Sequence, residues 1–236
     1  MARRAFDRYL TPVWATEALL RHFPEVRGEL LLDPTSGDGR MADQLLRAGR
    51  FSRCRLNDIG EPHAPVRAPE THLDGADPAL YEPRPCWAVS NPPFNASGDI
   101  VYPAVQGAVR GVAMLLRATF GEPCGPCPRA PRAGRQWLLR HPPKALLLLP
   151  RISFTGDGET DSAAAWWFLW GDGVEARIVV ADKAESAGQE LLAEVGDLVA
   201  QGGMRLPERR FTPPAELLLP GIEPAKKRQR RGAVGG

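Results

Sequence analysis

Glu29-Leu30-Leu31-Leu32-Asp33 is an apolar run closed by an acid, followed by Pro34-Thr35-Ser36-Gly37-Asp38-Gly39 and a helix-like stretch at residues 40–48. That succession reads as strand, glycine loop and helix, and it restricts the fold more than any other feature of the chain. A strand apolar at nearly every position is covered on both faces, which is the condition of a parallel sheet flanked by helices. Other unbroken apolar runs fall at residues 86–89, 112–116 and 145–149, and they alternate with helix-like segments at 16–22, 99–110 and 185–200. The expected architecture is therefore α/β, a doubly wound, mostly parallel sheet. Residues 144–149 and 164–170 should form a terminal antiparallel pair across the turn at 155–161. A chain of 236 residues with 43% hydrophobic content is sufficient for one such core.

The glycine loop restricts its ligand by charge. Gly37, Gly39 and Ala42 fit the G-x-G-x-x-A pattern of a dinucleotide site, with Asp58 spaced to hold a ribose hydroxyl. A pyrophosphate at the helix N-terminus would, however, face Asp38 with Asp33 close behind, and both carboxylates repel it. S-adenosylmethionine carries an ammonium and a sulfonium and no phosphate. An acid at the strand tip can anchor its amino-acid end while the glycines let the backbone come close. Dinucleotide binding is kept as the alternative for this loop.

A second constellation follows the run Cys86-Trp87-Ala88-Val89 and reads Asn91-Pro92-Pro93-Phe94. An exocyclic amine on a nucleobase is a weak nucleophile because its lone pair is delocalised into the ring. It needs acceptors for its N–H groups more than a strong base, and the Asn91 side-chain oxygen and Pro92 carbonyl offer two. Each proline fixes its own φ, restricts the residue before it to extended conformations and withholds an N–H that would compete for those acceptors. Phe94 adds a stacking face for a base swung out of a duplex, worth about 1–3 kcal/mol. In isolation the four residues would also suit a proline-rich turn closing a strand.

Together, Asp33-Pro34-x-Ser36-Gly37-x-Gly39 and Asn91-Pro92-Pro93-Phe94 resemble the S-adenosylmethionine-dependent amino-methyltransferases, especially the DNA adenine-N6 branch. The likeness covers residues 9–170 and implies a Rossmann-like methyltransferase fold, a doubly wound, mostly parallel seven-stranded sheet with an antiparallel terminal strand pair. It also implies catalysis by Asn91, Pro92, Pro93 and Phe94 on the N6 amino group of a flipped adenine. Tyr9-Leu10-Thr11-Pro12-Val13-Trp14 is similar to the segment that folds over the methionine end of the cofactor, which makes Tyr9, Thr11 and Pro12 cofactor residues beside Asp33, Ser36, Gly37 and Gly39. The resemblance further implies that Asp58, closing the second strand, holds the ribose and that Asp74, closing the third, meets the adenine. Asp77 is an alternative for Asp74, and both would serve equally well in turns. Residues 150–170 resemble small phage-type enzymes of the group. Related sequences with the same signature methylate guanine N2 or adenine in structured RNA, or glutamine in proteins. A catalytically silent nucleic-acid-binding module is the non-enzyme alternative. No separate target-recognition block is visible after the core, which moves substrate selection to loops within it.

Charge marks one such loop. Between Pro123 and Gly156 lie Arg129, Arg132, Arg135, Arg140, Lys144 and Arg151 with no acid, in a chain holding 28 acids, so a basic insertion at about 121–143 is expected to meet DNA, with RNA as the other polyanion. The abundance of Arg over Lys adds little, since a coding bias toward Arg, Ala, Gly and Pro would produce it. The expected methyltransferase domain spans 1–223. Residues 224–236 form a basic tail, expected to be disordered, whose five charges account for the change from −3 to the net +2. Cys124-x-x-Cys127 has zinc-ligand spacing but lacks a second pair, so no metal is expected, and Cys54 and Cys86 read as buried strand residues. Trp166, Trp167 and Trp170 read as core. His22, His63, His72 and His141 have no partners at catalytic spacing. With neither signal peptide nor membrane span, a cytoplasmic location is expected.

Overall fold

A computed structural model describes residues 10–60, 65–121, 135–152 and 164–182. Seven strands, β1 Gly28–Asp33, β2 Phe51–Leu56, β3 Trp87–Ser90, β4 Gly111–Arg117, β5 Ala145–Leu148, β6 Ala165–Trp170 and β7 Arg177–Val180, form one sheet in the order β2-β1-β3-β4-β6-β5-β7. β1 runs parallel to β2 and β3, and β3 parallel to β4. β6 is antiparallel to both β4 and β5, and β7 is parallel to β5. The expected mixed sheet and its antiparallel pair are therefore present.

Alternate residues of the unbroken apolar runs serve opposite faces. Leu31, Trp87, Val89, Leu115 and Trp167 pack with helices α1 Val13–His22 and α2 Arg40–Arg47. Leu32, Ala88, Met114 and Phe168 pack with α3 Ser97–Gly107 on the other side. This two-sided burial is why the strands carry no polar alternation. Trp167 and Trp170 are core residues whose indole N–H groups donate to the carbonyls of Ala15 and His141, whereas Trp166 is half-buried. Cys54 and Cys86 are half-buried free thiols, and desolvation raises the Cys54 pKa above its ordinary value.

α2 begins at Gly39 with φ +78° and ends at Gly49 with φ +65°, where the N–H groups of Gly49 and Arg50 close the carbonyls of Leu46 and Leu45. α3 stops short of the expected residue 110 because the Val109 and Arg110 N–H groups already bond to the Pro85 and Cys86 carbonyls and lead into β4. The expected helix at 185–200 and the basic tail lie outside the described residues.

Two strand-level differences have physical causes. Beyond β2, where the sequence implied a strand ahead of Asp74, the chain makes a single parallel bridge, Asn57 to Thr71. Pro65, Pro69, Pro78, Pro83 and Pro85 remove ladder donors through this stretch. β7 was not anticipated, because Arg177-Ile178-Val179-Val180 exposes Ile178 and Val180 and so lacks the patterning of a covered strand.

Asn57 stands in for the missing ladder. It is fully buried, its amide nitrogen donates to the carbonyls of Pro34 and Leu73, and its oxygen accepts from the Thr71 hydroxyl and the Leu73 N–H. No helix among the described residues is long and apolar enough to cross a membrane. Replacing Asn57 with Ala orphans buried polar groups on two segments. The expected cost is about 2–4 kcal/mol in equilibrium urea denaturation, and a loss below about 0.5 kcal/mol would contradict the bridging role.

Candidate active site

β1 and β3 lie side by side, with Leu31 level with Trp87 and Leu32 with Ala88, so their last residues share one rim of the sheet. Asp33 is 1% exposed there. Its Oδ1 accepts from the Ser90 hydroxyl at 2.6 Å and from the Thr35 N–H at 3.2 Å, and the Thr35 hydroxyl lies 2.6 Å from Ser90 Oγ. With Asp33 ionised, Ser90 gives its one proton to the carboxylate and Thr35 donates to Ser90. The residue immediately before Asn91 is thereby bonded to both the strand tip and the start of the glycine loop.

Asp33 Oδ2 is buried and has no hydrogen-bond partner among the described residues, and the same holds for Ser36 Oγ. Both residues line a cleft shared with Leu10, Thr11, Gly37 and Met41. Burial pushes the Asp33 pKa up to about 7, against the lowering effect of the Ser90 and Thr35 hydrogen bonds, while the nearby Asp58 charge raises it further. A buried carboxylate without a counter-charge is relieved by taking up either a proton or a cation.

The loop geometry explains both glycines. Gly37 has φ +57° and open space where a Cβ would stand, whereas a Cβ on Gly39 would meet the Arg67 carbonyl oxygen at 2.2 Å. Gly37 donates its N–H to Asp58 Oδ2 at 2.8 Å, and Asp58 Oδ1 accepts from Gly60 N–H at 3.0 Å. Asp58 thus holds the loop in this structure. Asp38 and Arg40 also line the cleft and are ion-paired at 2.8 Å, so the carboxylate without a counter-charge there is Asp33 rather than Asp38.

Asp74 is exposed and accepts from the Ala76 N–H, and Asp77 accepts from the Ala79 N–H to cap a short 3-10 turn. Gly75 between them packs on Pro34 and Thr35, which brings the turn against the glycine loop. Thr11 is buried, and Pro12 precedes α1, its carbonyl accepting from Ala15 N–H. Tyr9 lies outside the described residues.

Asn91, Pro93 and Phe94 are half-buried and Pro92 is buried. The carbonyls of Pro93 and Phe94 accept from Ala96 N–H and the Ser97 hydroxyl as the chain enters α3. Among the described residues the Pro92 carbonyl has no donor. Phe94 packs against the core, and the Arg117 guanidinium carbon lies over its ring, 5.0 Å from the centroid.

No protein-family model matches the chain, and no curated protein matches it in sequence. Solved structures match it in shape. The methyltransferase subunit of a type I restriction-modification system from Streptococcus thermophilus superposes with a TM-score of 0.52 at 12% identity. The match covers 82% of this chain and 54% of that one, so this chain spans about half its length. A protein assigned as a class I S-adenosylmethionine-dependent methyltransferase from Listeria monocytogenes gives 0.50 at 10% identity, covering 80% and 70% of the two chains. A protein assigned as a hemolysin from Lactococcus lactis gives 0.50 at 18% identity, covering 78% and 99%. The fold is the Rossmann-like methyltransferase fold.

In that fold the carboxyl ends of the parallel strands form the functional rim, and the basic run divides about it. Arg151 is exposed just beyond the carboxyl end of β5, on the same side as Asp33 and Asn91. Lys144 precedes β5 at the opposite end of the sheet, where it pairs with Asp172 at 3.3 Å, and Arg140 precedes His141, whose carbonyl accepts from the Trp170 indole N–H. Arg135 opens a short 3-10 turn, and Trp137 and Leu138 of that turn pack on the core. Arg129, Arg132, Cys124 and Cys127 fall outside the described residues. Among the described residues no group of three His, Cys, Asp or Glu side chains could hold a metal ion.

Sequence reasoning passed over Thr35, Asn57, Ser90 and Arg117. Ser90 carried a usable signal, being a polar residue between a fully apolar run and Asn91. The raised Asp33 pKa has a consequence for stability. Between about pH 4 and pH 7 the folded chain holds a proton that the unfolded chain has released, so stability from this group is highest below that window and falls as pH rises through it. Asp33→Asn is accordingly expected to melt at least about 3 °C above the parent at pH 8 and with a much smaller gain at pH 5. Equal melting at pH 8 would show that the carboxylate carries no burden.

Proposed function

We propose that this chain is an S-adenosylmethionine-dependent methyltransferase acting on the N6 amino group of adenine in DNA. One observation carries the reading: the unpartnered Asp33 Oδ2 in the glycine-loop cleft, on a carboxylate whose Oδ1 is bonded to Ser90, the residue that precedes Asn91-Pro92-Pro93-Phe94. A cationic amino-acid end fits these residues, because Asp33 gains a counter-charge and Ser36 Oγ a partner, whereas a pyrophosphate would face the Asp33 carboxylate.

In this reading Asp33, Ser36 and Gly37 hold the amino-acid end of the cofactor, with Thr11 and Pro12 closing over it. Asp58 would hold the ribose hydroxyls, and Asp74 or Asp77, on the turn that packs against the glycine loop, would meet the adenine. When bound, the cofactor supplies a methyl group on a positively charged sulfur. Asn91 Oδ1 and the Pro92 carbonyl accept the two N–H groups of the target amine, which turns the nitrogen lone pair toward the incoming carbon. Phe94 supports the flipped base. Catalysis is mainly alignment, with the amine proton lost to solvent after transfer, so no histidine base is required. Arg117 and Arg151 on the carboxyl rim favour a polyanionic substrate over a peptide. The restriction-modification system to which one structural neighbour belongs is consistent with DNA.

The test incubates the protein with labelled donor and separate pools of DNA, structured RNA and protein, then identifies the modified unit by mass. The expected product is N6-methyladenine in DNA, and Asn91→Ala should lower turnover about 100-fold or more while leaving donor affinity nearly unchanged. Label on guanine in RNA or on glutamine would move the substrate assignment. Equal losses of affinity and turnover in Asn91→Ala would reduce the motif to scaffolding.

A further inference from the structure

Arg117 ends β4, the strand beside β3, with its guanidinium carbon 5.0 Å from the centroid of the Phe94 ring. Its side chain is exposed, and no carboxylate among the described residues pairs with it. Phe94, in contrast, is half-buried against the core, and its carbonyl is tied to Ser97. The ring is therefore the fixed partner and the arginine the movable one. A guanidinium is planar, weakly hydrated and stacks on aromatic faces and on nucleobases alike.

We infer that Arg117 is the second wall of a stacking slot, in which a flat heterocyclic base is held between the Phe94 ring and the Arg117 guanidinium. The inference rests on the nucleobase reading of the site and narrows it, because a glutamine side-chain amide presents no comparable flat surface to two walls. A base stacked at about 3.4 Å from each wall requires the guanidinium to stand at about 6.8 Å from the ring. That is about 2 Å beyond its position without substrate, a shift that rotation about the bonds of an exposed arginine stem can supply. Until a base arrives, the guanidinium covers the apolar ring face that the base will use.

The experiment compares the full-length protein with Arg117→Ala and Arg117→Lys, each saturated with S-adenosylhomocysteine. Fluorescence anisotropy reads binding to two short DNA strands, one entirely abasic and the other abasic except for a central adenine. Arg117→Ala is expected to lose about fivefold to thirtyfold in affinity for the adenine strand and less than about twofold for the abasic one. Arg117→Lys should behave like the alanine variant, since it keeps the charge and loses the plane. Equal losses on both strands, with lysine restoring them, would replace the slot with a point contact to phosphate and overturn the inference. Should the parent protein bind the two strands equally, both the slot and the nucleobase reading fall. Methylated DNA from the parent together with unchanged affinities in Arg117→Ala would overturn the slot alone.

Discussion

The hydroxyl of Ser90 is the contact on which the arrangement of this rim depends. It donates to Asp33 at the tip of β1 and lies within hydrogen-bond distance of Thr35 at the start of the glycine loop. The backbone of Ser90 belongs to β3 and leads directly into Asn91. One buried side chain therefore sets the spacing between an acid without a counter-charge and the rigid Pro-Pro segment. Were it absent, Asp33 would lose its shortest hydrogen bond, and the desolvation that already raises its pKa would meet less opposition.

Other features of the rim keep those two strand ends in place. Asn57 ties the Pro34 carbonyl to the segment at 71–73, so the glycine loop is held from the side where a full strand would otherwise stand. Gly39 permits the Arg67 backbone to close over the start of α2, and Asp58 takes the Gly37 N–H. The loop backbone is thus held by the Asn57 and Asp58 side chains and by the close Arg67 backbone, and the destabilising element, the buried Asp33 carboxylate, sits beside it. Strain concentrated where a ligand would relieve it is the usual sign of a site held ready for binding.

Much of this was legible in the amino-acid order. Unbroken apolar runs announced strands covered on both faces. The glycines at 37 and 39 could be read as a loop because few residues tolerate positive φ. What escaped was set by partners far along the chain. Asn57 and Ser90 are polar residues whose roles exist only after strands distant in sequence come together. β7 pairs with β5 through a backbone that carries no distinctive pattern. The basic run divides for a related reason: Lys144 and Arg151 are close along the chain, yet β5 carries them to opposite ends of the sheet, and only folding reveals that Arg117, from another strand, stands over Phe94.

Proton linkage tests the central claim most directly, that a cation of the cofactor relieves the buried Asp33 carboxylate. Titrating S-adenosylmethionine into the protein at pH 7 in two buffers of different ionisation enthalpy measures the protons exchanged on binding. With the Asp33 pKa at about 7 before binding, the account predicts release of about half a proton by the parent protein and none by any residual binding to Asp33→Asn. Tight binding without proton release, or equal affinity in the Asn variant, would contradict it.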